Sequence, residues 1–224
     1  MASRVIAIDG PSGSGKSTTA RAIAEALQMA HVDSGALYRA VALAALDAGL
    51  GLDGPAIVDL AETLPVRFRL ADGNYRPEVA GVDVSKEIRT DRVTAHSSPV
   101  SALPEVREWV NKALREAVEA HPRGAVLDGR DIGSVVFPDA AVKVYLTAAD
   151  EERARRRLKQ QGRPIDPDSI GTTMALMTRR DKADSTRAVA PLSVADGAVE
   201  IDTTTLTFEQ QVAKVVELAK TAFD

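Results

Sequence analysis

Residues 4–19 read RVIAIDGPSGSGKSTT, and this stretch decides the fold of the 224-residue chain. Residues 5–8 are apolar and mostly β-branched, which predicts a buried parallel strand. Residues 10–17 then match the pattern G-x-x-x-x-G-K-[ST] at every fixed position. Apolar side chains at helical spacing predict a helix over residues 18–27. A strand, a glycine-rich turn and a helix in this order are the context that a phosphate-binding loop requires.

The residue types of this loop suit a nucleoside triphosphate. Glycines lack a Cβ and can adopt positive φ, so backbone N–H groups can approach phosphate oxygens closely, at the positive end of the helix that follows. Lys16 can reach the β- and γ-phosphates, and the Ser17 hydroxyl is placed to bind Mg²⁺. The alternative is a turn that fits the pattern by chance, and the flanking strand and helix argue against it. The predicted triphosphate-binding residues are Gly10, Pro11, Ser12, Gly13, Ser14, Gly15, Lys16, Ser17 and Thr18.

Composition indicates a globular protein that folds without cross-links. With 45% hydrophobic residues, the chain can bury a core and fits one domain with insertions. It contains no cysteine, which excludes disulfides, thiolate metal sites and a cysteine nucleophile and fits a reducing compartment. The sequence has no long uncharged apolar run, and its N-terminus enters a strand at once. We therefore expect a cytoplasmic protein that does not associate with membranes.

The charge distribution favours a small anionic ligand. The formal net charge is −4, from 28 basic and 32 acidic residues, which argues against nucleic-acid binding. Basic residues nevertheless crowd into residues 153–163 and 179–187. Local clusters of this kind in an acidic protein suggest a compact, highly charged ligand, although solvated helix faces would look the same.

Predicted strands and helices alternate along most of the chain. After the first helix, further helices are predicted over residues 36–48, 53–64, 104–118, 150–161, 170–187 and 207–222. Strands are predicted over residues 30–33, 66–70, 75–84, 125–127, 142–146 and 198–201. This alternation predicts an α/β fold with a parallel sheet and helices on both faces. A small antiparallel unit at residues 66–84 interrupts it, so we expect an insertion over residues 33 to about 102.

Acidic and basic residues follow a predicted buried strand at residues 128–131, which read DGRD. Open α/β sheets place their ligands at the carboxyl ends of strands. Asp128 resembles the acidic residue that holds the Mg²⁺ shell in phosphate-loop proteins, so we assign Ser17 and Asp128 to the metal, directly or through water. A turn in which aspartate and glycine serve only backbone geometry is the alternative.

Two predicted helices each carry charged side chains along one face. They are Arg180, Asp184 and Arg187 on one helix, and Arg153, Arg156 and Arg157 on the other. Arginine forks suit the charge that spreads over phosphoryl oxygens during transfer, whereas a surface ladder of salt bridges would contribute little. The number of these guanidinium groups is larger than one triphosphate requires, so we predict a second phosphate-bearing ligand.

Four stretches resemble the bacterial cytidylate kinase family. They are DSGALYR at residues 33–39, DVSKEIRT at residues 83–90, LDGRDIGSVVFPDA at residues 127–140 and RDKADSTRAVAPL at residues 180–192. The resemblance runs nearly end to end. It implies a P-loop NTPase-type parallel sheet flanked by helices, in a single domain over residues 1–224. In that domain the core spans about residues 1–32, 103–152 and 188–224, a nucleoside-monophosphate-binding insertion about residues 33–102, and a short helical lid about residues 153–187.

The resemblance also implies a reaction, in which the γ-phosphoryl group of ATP passes to CMP or dCMP with Mg²⁺ as cofactor. We expect a monomer whose partners are these nucleotides. Catalysis is assigned to Lys16, Arg130, Arg153, Arg157 and Arg180. The acceptor phosphate is assigned to Ser34, Tyr38, Arg39, Arg130 and Arg180, the cytosine ring to Ser98, Arg107 and Asp131, and the sugar to Asp184 and Arg187. The stretch SSPVSALPEVRE matches the family more weakly, so Ser97 or Ser101 could take the place of Ser98.

The cytosine ring itself gives a chemical reason for the base assignment. Cytosine offers an amine donor beside N3 and O2 acceptors, which suits a carboxylate such as Asp131 on one side and a guanidinium such as Arg107 on the other. Uracil has a carbonyl in place of the amine and would leave the carboxylate unpaired. The alternatives are a kinase acting on UMP, AMP or shikimate, and a nucleotide-dependent switch. The three histidines, His31, His96 and His121, show no metal-binding spacing.

Overall fold

A computed structural model of the protein describes residues 4–223, so residues 1–3 and 224 of the predicted domain lie outside the described residues. The strands are β1 Val5–Asp9, β2 Ala30–Asp33, β3 Val66–Ala71, β4 Asn74–Val79, β5 Val82–Asp83, β6 Ala125–Asp128, β7 Val142–Thr147 and β8 Val199–Asp202. The α-helices are α1 Lys16–Leu27, α2 Ser34–Asp47, α3 Gly54–Thr63, α4 Asp91–Ser101, α5 Pro104–Glu119, α6 Asp150–Gln161, α7 Pro167–Thr186 and α8 Phe208–Phe223. The predicted α/β architecture is confirmed.

One mostly parallel sheet organises the molecule, with strand order β3-β4-β2-β6-β1-β7-β8. Strand β1 lies in the middle and pairs in parallel with both β6 and β7. The antiparallel strands β3, β4 and β5 extend one edge of this same sheet, because β4 pairs in parallel with β2. The carboxyl ends of β1, β2 and β6 are therefore neighbours, which brings the phosphate loop, the start of α2 and the DGRD segment together.

Two apolar cores cover the two faces of the sheet. Val5 and Ala7 belong to the core beneath α2, α3, α4 and α5, whereas Ile6 and Ile8 belong to the core beneath α1 and α8. Alternate residues of a strand point to opposite faces, so this division is the one that strand geometry imposes. The first core includes side chains from both the sheet and the region at residues 33–102, so the two share one hydrophobic interior.

Local sequence explains where several helices begin. Asp33 caps α2 by accepting a hydrogen bond from the Ala36 amide at 3.0 Å, the role that an Asp-Ser pair before a helix suggests. Asp166 caps α7 in the same way, so this helix begins at Pro167 and not at the predicted residue 170. Helix α4 was not predicted from the sequence, because it carries few apolar residues and includes Pro99. No helix among residues 4–223 has the length and apolarity needed to span a bilayer.

Candidate active site

The phosphate loop has the backbone geometry that its glycines predict. Gly13 and Gly15 have φ angles of 74° and 92°, and α1 begins directly after Gly15. Gly10, with φ 144°, packs so closely on β7 that a Cβ there would lie 2.1 Å from the carbonyl oxygen of Leu146. Larger residues at these positions would distort the loop, so the glycines keep its backbone N–H groups accessible to an anion.

Lys16 is buried within this loop. Its Nζ donates to the Pro11 carbonyl at 2.6 Å and to Ser14 Oγ at 3.3 Å. Burial lowers the pKa of Lys16 to about 7, with the nearby charge of Arg130 acting in the same direction. Asp128, Asp181 and Asp9 partly offset this effect, and an anion that enters the loop would add a direct partner for the ammonium group.

The oxygen atoms beside Lys16 suit Mg²⁺. Ser17 Oγ donates to Asp128 Oδ2 at 2.5 Å, and hydroxyl and carboxylate oxygens are ligands that Mg²⁺ accepts. Among residues 4–223 no cluster of three or more His, Asp or Glu side chains could hold a metal by itself. Mg²⁺ at nucleotide sites is usually held by one or two protein groups together with phosphates, so this pair fits the ion.

Asp128 is also held from its other side. His31 Nε2 lies 2.8 Å from Asp128 Oδ1, and both side chains are buried. Burial alone would raise the pKa of Asp128, but the hydrogen bonds from His31 and Ser17 outweigh it and hold the pKa below its usual range. Burial likewise opposes the charge on His31, whose pKa is nevertheless raised by the bond to Asp128. Asp128 is therefore a carboxylate with two fixed donors.

A cavity opens between the phosphate loop, the start of α2, the DGRD segment and α7. We call it the arginine cavity, because within residues 4–223 seven arginines line it: Arg39, Arg89, Arg107, Arg130, Arg157, Arg180 and Arg187. Burial, and next the charge of Arg130, lowers the pKa of Arg180 to about 10. Guanidinium groups bind phosphate oxygens through paired hydrogen bonds, so a cavity lined by this many of them suits a phosphate ester.

Asp131 lies in the arginine cavity between two guanidinium groups. Its Oδ2 accepts from Arg107, and its Oδ1 accepts from Arg187 at 3.2 Å. The guanidinium of Arg107 stands 5.4 Å from the centre of the Tyr38 ring, a cation–π distance. Burial raises the pKa of Tyr38, whose hydroxyl is buried and has no hydrogen-bond partner among residues 4–223. Asp131 and Arg107 are thus held by protein contacts, and the Tyr38 hydroxyl is a candidate hydrogen-bond partner for a ligand.

Other predicted side chains reach the arginine cavity through ion pairs. Arg130 donates from Nε to Asp184 at 3.1 Å, and Arg39 donates to Asp33 at 3.3 Å. Ser34 Oγ donates to the carbonyl of Asp128 at 2.8 Å, which fixes the start of α2 against the end of β6. The predicted acceptor residues therefore converge from α2, the DGRD segment and α7.

The three candidate serines differ in position. Ser97 and Ser101 line the arginine cavity, and Ser98 is not part of its lining among residues 4–223. Ser98 Oγ is buried and has no hydrogen-bond partner among those residues. Ser97 and Ser101 lie four residues apart and so share one face of α4, whereas Ser98 lies on the adjacent face.

A second cavity, which we call the loop cavity, lies on the other side of the phosphate loop. Its lining includes Thr18 of α1, Arg156 of α6, Phe208 at the start of α8 and Leu206, which precedes α8. Arg156 is fixed here by Glu152 at 2.8 Å and by the Thr203 carbonyl at 2.8 Å. The two cavities meet, because five residues line both: Gly13, Lys16, Ser17, Arg157 and Gln160.

The predicted lid arginines have separate roles in the structure. Arg157 lines both cavities, but Arg153 lies outside their linings and is bonded to protein groups. Arg153 donates to the Ser12 carbonyl at 2.7 Å and to Asp181 at 2.5 Å. Asp181 in turn accepts from the Ser12 amide at 2.9 Å. Helices α6 and α7 are thus attached directly to the phosphate loop.

Asp9 is a further buried acid that the sequence analysis did not select. At the end of β1, its carboxylate accepts hydrogen bonds from the amides of Ile132 at 2.9 Å and Gly133 at 2.8 Å. These residues begin a π-helical turn, Ile132–Val136, that directly follows Asp131. Desolvation raises the pKa of Asp9 to about 6 in spite of these bonds. Asp9 therefore links the strand before the phosphate loop to the segment that carries Asp131.

The raised pKa of Asp9 gives a prediction for stability. An aspartate with a folded pKa of about 6 and an unfolded value near 3.8 favours the folded state at low pH. Each pH unit between these values removes about 1.4 kcal/mol, so the full contribution, about 3 kcal/mol, is lost as the pH rises from below 3.8 to above 6. Urea denaturation of the wild type and Asp9→Asn at pH 4 to 7 should show the wild type losing this stability relative to the variant. A pH-independent difference between the two proteins would contradict it.

Four site residues escaped the sequence analysis: Asp9, His31, Arg89 and Asp181. Arg89 lies within the stretch DVSKEIRT, so the motif itself carried a signal for it. Asp9 directly follows the strand predicted over residues 5–8 and precedes the phosphate loop, so its position gave a usable signal. His31 and Asp181 gave no usable signal, since their partners lie 97 and 169 residues away in sequence.

Comparisons with known proteins agree with this geometry. The family model described as cytidylate kinase matches residues 6–221, which include every residue that lines the two cavities. The cytidylate kinase of Salmonella arizonae is 47% identical over 217 residues, covering 96% of this chain and 95% of the relative. The cytidylate kinase of Enterobacter sp. (strain 638) is 46% identical over 223 residues, covering 98% and 96%. An uncharacterized protein from Eubacterium ventriosum shares the fold, with a TM-score of 0.52, 11% identity and coverage of 97% and 98%.

Proposed function

The chain belongs to the cytidylate kinase family, and from this premise we propose that it transfers the γ-phosphoryl group of ATP to CMP or dCMP, giving ADP and CDP or dCDP. The observation that carries the proposal is the meeting of two cavities at Lys16, Ser17 and Arg157. A transfer between two bound nucleotides requires donor and acceptor sites that share a boundary where the phosphorus moves. The loop cavity suits the donor, and the arginine cavity suits the acceptor.

The donor is held by the phosphate loop. Backbone amides at the start of α1 face the β-phosphate, and Lys16 exchanges its bond to the Pro11 carbonyl for phosphate oxygens. This exchange satisfies a buried ammonium group whose pKa is depressed in the free protein, so it favours binding of the anion. Ser17 and Asp128 would hold Mg²⁺, which when bound neutralises charge on the β- and γ-phosphates.

The acceptor is held by side chains from three elements. We assign its phosphate to side chains that line the arginine cavity, namely Ser34, Tyr38, Arg39, Arg130 and Arg180. Asp131 and Arg107 are assigned to the cytosine ring, with Asp131 accepting from the exocyclic amine. Asp184 and Arg187 are assigned to the sugar. The acceptor phosphate is already an anionic nucleophile, so the transfer needs orientation and charge neutralisation more than a general base.

Arginines at the shared boundary stabilise the transferring group. Arg157 lines both cavities and can contact the phosphoryl oxygens throughout the reaction. Fixed guanidinium groups stabilise charge that spreads over the equatorial oxygens in the transition state. Arg153 is bonded to the Ser12 carbonyl and to Asp181, so its contribution to catalysis runs through the position of the phosphate loop.

We infer that the insertion at residues 33–102 and the lid at residues 153–187 close over both nucleotides. Closure would exclude water, which otherwise hydrolyses ATP in place of the transfer. Solution X-ray scattering should show a smaller radius of gyration when an analogue that links ATP and CMP is added. The protein without ligand and the protein with ATP alone serve as comparisons, since ATP would fill only the loop cavity. Equal dimensions in all three samples would contradict closure.

The setting proposed for this enzyme is the cytoplasm, where it acts as a monomer without nucleic-acid partners. The absence of cysteine fits a reducing compartment, and the net charge of −4 disfavours a polyanionic partner. Seven arginines among residues 4–223 instead line the arginine cavity, where their charge suits the compact phosphate of a mononucleotide.

A coupled assay with ATP and a panel of acceptors tests the function. ADP should form rapidly with CMP or dCMP, and at least about 100-fold more slowly at equal concentration with UMP, AMP or shikimate, because each presents different groups to Asp131 and Arg107. Slow, acceptor-independent hydrolysis would favour a nucleotide-dependent switch. If UMP, AMP or shikimate were turned over faster than CMP and dCMP, that compound would be the acceptor and the assignment of CMP would be wrong.

A further inference from the structure

His31 is a buried histidine that the proposed reaction does not use. It lies on β2 between two neighbouring strands, with Asn74 of β4 on one side and β6 on the other. The side chain is 3% exposed, and neither substrate cavity includes it in the linings given by residues 4–223. A buried imidazole needs hydrogen-bond partners among the surrounding protein groups, and those partners indicate the role of the side chain.

Both ring nitrogens of His31 have partners. Nε2 lies 2.8 Å from Asp128 Oδ1, and Nδ1 lies 3.3 Å from Asn74 Oδ1. The amide of Asn74 is oriented by its own bond, since Nδ2 donates to the Asp72 carbonyl at 2.8 Å. The ring is therefore held from both ends, and its Nε2 donor is directed at one oxygen of Asp128.

This contact determines which oxygen of Asp128 faces the phosphate loop. Oδ1 is taken by His31, and Oδ2 accepts from Ser17 Oγ at 2.5 Å. The carboxylate of a free aspartate rotates about χ2 with little cost, so two donors on opposite oxygens remove that freedom. Partners of this kind behind a metal ligand commonly change metal affinity or activity by 10–100-fold when they are removed.

We propose that His31 is a positioning residue, which holds Asp128 with Oδ2 directed at Ser17 and so sets the affinity of this pair for Mg²⁺. The inference rests on the proposed Mg²⁺-dependent function. It concerns metal binding in a complex without acceptor, where no phosphoryl transfer occurs. Its failure is therefore distinguishable from failure of the kinase assignment, which the acceptor panel measures separately.

Two variants whose amide side chains differ in length distinguish a positioning role of His31 from a purely structural one. In His31→Gln the amide nitrogen lies about as far from Cβ as the native Nε2, so it can still donate to Asp128. In His31→Asn the amide is one bond shorter and reaches the position of Nδ1, beside Asn74. Both substitutions bury one amide in the same pocket, so their effects on stability should be similar while the contact to Asp128 differs.

Manganese serves as the probe, titrated into full-length protein saturated with ADP and followed by electron paramagnetic resonance of the free ion. His31→Asn should raise the Kd for Mn²⁺ about 10-fold, and His31→Gln should stay within about twofold of the wild type. ADP binding without metal should be the same in all three proteins. Equal weakening in both variants, or unchanged affinity in His31→Asn, would overturn the proposal.

A measurement on the wild type keeps the proposal testable if His31→Asn does not fold. In protein with ¹⁵N-labelled histidine, Mg²⁺ added to the ADP complex should shift the Nε2 resonance of His31. His96 and His121 serve as references, because neither lines the arginine cavity or the loop cavity among the described residues. An Nε2 resonance of His31 that moves no more than theirs would reject a coupling between this ring and the metal site.

Discussion

Replacing Lys16 by methionine is expected to lower kcat for ATP and CMP by about 10³-fold or more, because a fixed positive charge at the transferring group is removed. Lys16 lines both cavities, and its ammonium group is held at the loop by the Pro11 carbonyl. Methionine has a similar length and fills the same space without charge. The loss should therefore appear in catalysis and in ATP binding.

The folded state of Lys16→Met should be at least as stable as that of the wild type, although its activity falls. Burial lowers the pKa of Lys16 to about 7, which means that the folded protein opposes the charged form. Lys16→Met is therefore expected to unfold in urea at the same concentration as the wild type or at a higher one. Lys214→Met, at an exposed position of α8, serves as the matched control and should keep full activity. Retention of more than a tenth of kcat by Lys16→Met would contradict the role of Lys16.

Asp131→Asn is expected to reduce the preference for CMP over UMP, measured as the ratio of kcat/KM values, by about 10²-fold. Cytosine needs an acceptor for its amine, and uracil needs a donor for its carbonyl. An asparagine oriented by Arg107 would direct its amide oxygen at the guanidinium and its NH₂ group at the base. This reverses the hydrogen-bonding character that the base meets, and a hydrogen bond to a charged group is worth about 1.5–3 kcal/mol.

The structure strengthens this expectation by showing how Asp131 is held. Arg107 and Arg187 each bond to a different oxygen of the carboxylate, so its orientation is fixed before CMP enters. Activity with CMP should fall, while activity with UMP should fall less or rise. Asp139→Asn, on an exposed turn of the same segment, is the control and should leave both values unchanged. A CMP:UMP ratio that stays the same in Asp131→Asn would reject the role given to this residue.

Local sequence patterns were sufficient for the framework of the protein. The strand, loop and helix around residues 4–19 were predicted from apolar periodicity and glycine spacing, since both depend on residues near one another in the chain. Asp128 could be placed at the ligand-binding edge of the sheet because open α/β sheets bind ligands at the carboxyl ends of their strands. The family resemblance implied that Arg130, Arg180 and Arg187 surround one nucleotide, and all three line the arginine cavity.

Contacts between distant segments required the tertiary structure. The three serines at residues 97, 98 and 101 could not be ranked from the sequence, because the rotation of α4 about its axis depends on its packing against α2. Arg153 and Arg157 lie on one helix, yet the contacts of α6 turn Arg153 to the phosphate loop and leave Arg157 in the cavities. The spacing of residues along a helix gives the angle between their side chains about the helix axis. It does not give the direction in which that helix face points in the folded protein.

The sequence by itself determined the phosphate loop, the alternation of strands and helices and the set of charged side chains that we propose bind two nucleotides. The tertiary structure alone decided that His31 supports Asp128, that Asp9 holds the segment after Asp131 and that Asp181 attaches α7 to Ser12. The physical reason for the first two contacts is strand order, and for the third it is the position of α7 against the phosphate loop. Placing β2 beside β6, and β6 beside β1, brings together groups that are about 100 residues apart, and no short-range pattern encodes that adjacency.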